Sequence, residues 1–204
     1  MLFTKKNIKP LATLEEEELN NLSKNEAEIS IENVLLTEKE QNKSVIYNIA
    51  EKCDLSKYIT SFEKDIEIIS KGAFSMHQLV KYIVSMLETP CNIYATTFAT
   101  TEAVVSILIN MKRLNMIDNC YFLLDNQVIR KRPDAYVLLD QNFKCKIASI
   151  HAKICVIESK DISVRIIGSG NWTRNDKTEV YSLSSNKNVC NYLKNFILDE
   201  INKI

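Results

Sequence analysis

From Ser75 onward, short β-branched runs and amphipathic stretches take turns along the chain, and this alternation limits the fold more than any other feature. Ser75 can cap a helix reaching to about Glu88, with Leu79, Tyr82, Ile83 and Met86 apolar at helical spacing. Pro90 stops it, and "CNIYAT" reads as a strand. A helix follows from about Thr101 to Asn115, then a strand "NCYFLL", then "DNQVIRKRPDAYVLLD" as a loop and short helix. The runs "KCKIAS", "HAKICVI", "SVRIIG" and "VYSLS" read as strands, and "NKNVCNYLKNFILDEINKI" as a closing helix. Strands alternating with helices predict an α/β layered domain. The late strands follow one another too closely for helical crossovers, so the expected sheet is mixed and flanked by helices. A chain of 204 residues suffices for one sizeable domain, or for one domain with an added segment.

The first seventy residues follow another pattern. Residues 1–30 are polar, with an acidic run from Glu15 to Glu18, and read as a flexible or loosely helical lead-in. "ISIENVLL" suits a short strand. Val45, Ile46, Ile49 and Ala50 stand at helical spacing and predict a helix near 39–53. "YITSFEKDIEIISKG" is compatible with either element and ends at Gly72. Net charge is +0 over the chain, yet residues 1–70 hold 9 basic and 14 acidic side chains and the remainder holds 17 and 12. The expected division is therefore an acidic, partly helical segment at 1–70 and a functional domain at 71–204. The second part could face a polyanion and the first not easily, while a solvated acidic helix beside an ordinary basic surface accounts for the split equally well.

Composition removes several classes of function. Hydrophobic residues make up 46% and charged residues 25%, as in ordinary globular proteins. No apolar run reaches the roughly 18 residues of a membrane helix. The N-terminal stretch lacks the apolar core of a secretory signal. Cys53, Cys91, Cys120, Cys145, Cys155 and Cys190 form no disulfide framework, which together with the missing signal suits a reducing cytoplasm. No cysteine pair has zinc-knuckle spacing, and His77 and His151 are the two imidazoles, so neither a metal nor another cofactor is expected.

Chemistry concentrates in "IHAKICVIESKDISVRIIGSGNWTRNDKTEVYSL", residues 150–183. On a strand, His151 and Lys153 share a side. A lysine near the start of an apolar strand needs a compensating anion, because an unpaired buried charge costs several kcal/mol, on the order of 3–5. A carboxylate or a bound phosphate would serve. Downstream, Gly168 and Gly170 allow unusual backbone angles and close approach of a ligand. Ser169 and Asn171 add a hydroxyl and an amide at the strand's mouth. A glycine turn in a hairpin is the plain alternative for this loop.

The ordered set "HAKICVIE…GSGNWT…E" resembles the phospholipase D superfamily signature, in which His-x-Lys is followed by an acidic residue and then by Gly-Ser-x-Asn. The layout from about Gly72 to Leu183 is similar to small bacterial and phage members that carry one such motif. Glu158 stands where the family usually has Asp, a residue the family uses to support the fold. The resemblance implies a phospholipase D-like fold and a metal-independent phosphodiesterase or nuclease. It assigns His151 as the nucleophile that forms a phosphohistidine. Lys153 and Asn171 would stabilise the non-bridging oxygens, and Ser169 would bond within the loop or to phosphate. Glu179 would set the tautomer of His151. A second imidazole must protonate the leaving oxygen. His77 lacks a His-x-Lys partner and reads as a surface residue at a helix start, so the second imidazole is expected to be His151 of another subunit. The expected partners are a second copy, as a homodimer, and nucleic acid, with no membrane. Arg130, Lys131 and Arg132 form a basic cluster suited to backbone phosphates or simply to solvent. Trp172 suits stacking on a base or packing. The alternative function is a DNA-interaction or structural protein of a phage or mobile element that keeps the fold with little or no turnover.

Overall fold

The computed structural model describes residues 34–37, 44–49, 54–174 and 176–203. Nine strands form one sheet: β1 (Val34–Thr37), β2 (Ser44–Ile49), β3 (Asp65–Lys71), β4 (Cys91–Thr97), β5 (Ile117–Asp125), β6 (Lys144–Ala148), β7 (Ile154–Glu158), β8 (Ser163–Gly168) and β9 (Thr178–Ser184). Their spatial order is β1-β2-β3-β9-β8-β7-β4-β5-β6. Pairing is parallel for β2–β3, β4–β5 and β5–β6 and antiparallel elsewhere. The fold is thus α/β with a mixed sheet, as the strand spacing predicts. Five helices accompany it among the described residues: α1 (Met76–Ser85), α2 (Glu102–Arg113), α3 (Asn126–Lys131), α4 (Pro133–Asn142) and α5 (Lys187–Asn202).

Local chemistry explains where these helices begin and end. The Ser75 N–H donates to Gln78 Oε1 at 3.0 Å, one half of a capping box at the start of α1. Asn115 closes α2 with a φ of 55°, a conformation asparagine tolerates well. Asp125 caps α3 by accepting from the Gln127 N–H at 2.8 Å. The expected single short helix in 125–140 is two, because Pro133 keeps Arg132 out of the helical region (φ −145°, ψ 58°) and takes the first position of α4.

The region before residue 72 departs from expectation. Ser44–Ile49 is a strand, where a helix near 39–53 was expected; the rest of that range is outside the described residues. Val45, Ile46 and Tyr47 favour a pleated surface, and parallel pairing with β3 from Ser44–Asp65 to Ile49–Ser70 outweighs the helical spacing. The compatible-with-either stretch resolves as β3, ended by Gly72 at φ 71°. β2 and β3 belong to the same sheet as β9, so the sheet draws on both sides of residue 70. The lead-in at 1–30 and most of "ISIENVLL" lie outside the described residues.

The two faces of the sheet are unequal. One carries the large apolar core: Ile66, Ile68, Ile93, Phe122, Cys155 and Ile166 of the strands meet Leu79 and Ile83 of α1, Val105 and Leu108 of α2, and Leu139 of α4. The other face carries α5, whose Cys190 and Ile197 pack on Tyr94 and Val156. Every residue of β4 except Asn92 is buried, as a central strand covered on both faces requires.

Candidate active site

β7 begins at Ile154, three residues later than expected, so His151 and Lys153 stand just before the strand. Thr96 on β4 holds this approach in place: its hydroxyl donates to the Ala152 carbonyl at 2.7 Å and accepts from the Ile154 N–H at 3.0 Å. Lys153 is buried, at 7% exposure, while His151 is exposed. The Lys153 ammonium donates to the His151 carbonyl at 2.7 Å and lies 3.2 Å from each ring nitrogen. Phe98 walls the pair: its ring meets the imidazole edge-on at 5.1 Å, and Lys153 Nζ is 5.7 Å from its centroid.

Burial lowers the Lys153 pKa, and the charges of Glu179 and Asp125 pull it back up. Among the described residues Lys153 has no ion-pair partner. Asp125 itself is buried and engaged by the Ile150 N–H at 3.3 Å and the Gln127 N–H. The charges of Glu179 and Asp125 therefore offset only part of the lysine's desolvation.

The glycine loop starts beside this pair, because the Gly168 N–H donates to the Lys153 carbonyl at 3.1 Å. The Ser169 hydroxyl donates to Glu179 Oε2 and accepts from the Val180 N–H at 3.0 Å, so Ser169 bonds within the loop and β9. Glu179 thus bears on the site through Ser169 and through its charge on Lys153. The expectation of unusual backbone angles at Gly168 and Gly170 is corrected: Gly72 is the described glycine with positive φ. Crowding by β9 is the reason instead. A Cβ at Gly168 would lie 2.6 Å from the Val180 carbonyl oxygen, and one at Gly170 would lie 2.2 Å from the Tyr181 hydroxyl. Asn171 is half-buried, and its Oδ1 is buried without a hydrogen-bond partner among the described residues. Trp172 is fully buried with its ring 5.1 Å from Phe122, so of its two readings packing holds.

Two depressions adjoin these residues. His151 borders a shallow one of about 440 Å³, bounded on the α5 side by Phe196 and Glu200. Asn171 lines a larger cleft of about 640 Å³ whose wall includes Phe98, Lys131, Arg132 and Arg174. Phe98 lines the larger one and meets the ring of His151, which borders the smaller. Arg130, Lys131 and Arg132 are exposed at the end of α3 rather than in a loop, and Arg130 is not part of the cleft wall. His77 stands at the start of α1 as expected, but not on the open surface. It is half-buried in that cleft, its Nδ1 is 2.8 Å from the Ser75 hydroxyl, and burial, then Lys81, lowers its pKa.

Glu158 and Cys155 stand apart from the chemistry. Glu158 ends β7, where Lys194 Nζ pairs with it at 2.7 Å and the Tyr94 hydroxyl donates to it at 3.2 Å. It is a strand-end anchor to α5 and β4. Cys155 is fully buried, and burial pushes its thiol pKa well up, which keeps it protonated.

Sequence reasoning missed Thr96, Phe98 and Asp125. Hydroxyls at Thr96 and Thr97 within a buried strand were one available signal. An aspartate placed between "CYFLL" and a helix start was another.

No protein-family profile matches the chain, and no curated protein matches it. Among solved structures it is similar to a polyphosphate kinase from Porphyromonas gingivalis, at 11% identity and a TM-score of 0.49 over 67% of this chain and 27% of that one. It is also similar to a variant of yeast tyrosyl-DNA phosphodiesterase, at 12% identity and a TM-score of 0.35 over 57% of this chain and 28% of the other. The chain spans little more than a quarter of either protein.

Proposed function

We propose that the chain is a phosphodiesterase of the phospholipase D type that cleaves nucleic acid without a metal, through a phosphohistidine, as a homodimer. The observation that carries this reading is the His151–Lys153 pair: an exposed imidazole against a buried ammonium, with the Gly168–Asn171 loop starting alongside. In the first step His151 attacks phosphorus, a P–N bond forms and the P–O bond to the leaving group breaks. The ammonium of Lys153 and the amide of Asn171 offset charge on the non-bridging oxygens. The leaving oxygen takes a proton from a second imidazole. Water then attacks phosphorus, that imidazole accepts its proton, and the P–N bond breaks. Glu179 acts as a positioning residue through Ser169.

The second imidazole is assigned to His151 of a second copy. Two features support a two-fold contact near the ring. His151 is exposed, and Val189, Tyr192 and Phe196 are exposed at spacings of three and four on α5, with Phe196 bordering the His151 depression. A second reading stays within one chain: His77 shares the cleft with Asn171 and would be the proton donor of an active monomer. The experiment is a nuclease assay in excess EDTA with wild type, His151→Ala and His77→Gln, beside a solution mass. Cleavage in EDTA that is lost with His151→Ala and kept with His77→Gln by a dimer is the expected result. Dependence on added magnesium or manganese, or full turnover by His151→Ala, overturns the phosphohistidine. A monomer active at all dilutions that fails with His77→Gln selects the second reading. A folded dimer that binds nucleic acid but never cleaves it selects the DNA-interaction protein.

A further inference from the structure

The larger cleft has a chemistry of its own. Lys131 and Arg132 reach it from the end of α3, and Arg174 reaches it from the loop before β9. All three are exposed, and none has an ion pair among the described residues. Among the described residues, no aspartate or glutamate lines the cleft. Three cations around a concavity without a carboxylate create a field that attracts an anion with several charges. Phe98, Val104, Ile107 and Val128 form an apolar part of the wall, beside uncharged polar groups such as Gln127 and Asn171. A ligand matching both halves carries phosphate on one side and a flat or apolar body on the other.

Size narrows the class. A cleft of about 640 Å³ is that of a small-molecule site and admits one or two nucleotides. It cannot admit a duplex. Position narrows it again, because Asn171 of the glycine loop and Phe98, which touches the His151–Lys153 pair, belong to this wall.

We propose that this cleft seats an unpaired nucleotide of the substrate strand next to the scissile phosphate, with its phosphates on Lys131, Arg132 and Arg174 and its base against the apolar wall. The inference rests on the phosphodiesterase reading and adds that the substrate enters single-stranded. Base contacts to an apolar wall tolerate any sequence, so binding is sequence-indifferent and dominated by phosphate contacts.

The test uses His151→Ala protein, so that binding is read without turnover. Fluorescence anisotropy of a short labelled oligothymidylate is followed over a sodium chloride series. The triple change Lys131→Ser, Arg132→Ser, Arg174→Ser weakens binding at least tenfold at low salt. It also reduces the slope of log K against log salt by about two, since each single-strand phosphate contact contributes about 0.7. Arg174→Ser alone gives a smaller shift in the same direction, and Lys64→Ser, before β3, gives none. A duplex of the same length and inorganic polyphosphate serve as competitors, and both compete less well than the unlabelled oligothymidylate. An unchanged salt slope in the triple variant removes the cleft from the strand's path. A duplex that competes better overturns unpaired entry, and polyphosphate that competes equally overturns a role for the base. Failure of the phosphodiesterase reading shows instead in the turnover of wild type, which these binding measurements do not involve.

Discussion

The two ends of β7 each place a charged side chain at the edge of the core, and they treat it in opposite ways. At the C-terminal end, Glu158 meets Lys194 at 2.7 Å and the Tyr94 hydroxyl at 3.2 Å, so its charge is neutralised locally. At the N-terminal end, Lys153 is the more buried of the two, yet its ammonium finds a carbonyl and a ring instead of a carboxylate. Glu179 and Asp125 act on it through space, and its pKa is still lowered. The charge at one end is paired on the spot, while the charge at the other keeps part of its desolvation cost.

The largest expected effect comes from removing the unanswered charge. Lys153→Met should lower turnover by about 10²–10³-fold, the loss that follows removal of one transition-state donor. It should leave the melting temperature unchanged or raised, because an apolar side chain replaces a desolvated ammonium. Its pH signature has a definite sign. With the folded pKa below the unfolded one, the unfolded chain binds more protons at alkaline pH, so wild-type stability rises as pH climbs from the folded value toward the unfolded one. That rise should be absent in Lys153→Met, and a phosphate-type anion should shrink it in wild type. A Lys153→Met protein that melts well below wild type would show that the lysine supports the fold, and the contrast between the two ends would fail.

A middle-sized effect lies in the glycine loop at the functional end. Gly170→Ala should destabilise by about 1–3 kcal/mol, because the new methyl must displace the Tyr181 ring from the core. Tyr181→Phe removes the hydroxyl that the methyl meets first, and that hydroxyl is buried without a partner among the described residues. The double variant should therefore recover part of the loss in a denaturant-melting cycle. Strict additivity would mean that the glycine has another role.

The smallest effect belongs to the paired end. Glu158→Gln should cost about 0.2–1 kcal/mol, since the ion pair is only partly buried and the Tyr94 bond is kept. Turnover per folded molecule should not change. A fall in turnover as large as that of Lys153→Met, with stability intact, would join the two ends into one site.

Much of this arrangement was legible in the residues. The spacing of β-runs against helical stretches predicts the layered mixed sheet, because a side-chain period of two or of 3.6 is written along the chain. Ser75 and Pro133 mark helix starts through groups they supply or lack themselves. Lys153 in an apolar run signals a charge with a purpose. What misled was local pattern read without partners: Val45, Ile46 and Ile49 have helical spacing, but two neighbouring strands decide their state. Phe98 and Asp125 stayed hidden because nothing in their own segments shows that β4, β5 and the approach to β7 end at one place.

The sequence by itself determined the fold class, the alternation of strands and helices from Ser75 onward, and the residue types gathered at 151–171. These depend on period, propensity and side-chain chemistry, which are local. Tertiary structure alone decided that Gly168 and Gly170 are small because β9 crowds them, that Trp172 is core, and that His77 and Arg174 share a cleft with Asn171. Such facts depend on distances between segments far apart in the chain, which follow from sheet order and packing and have no period to read.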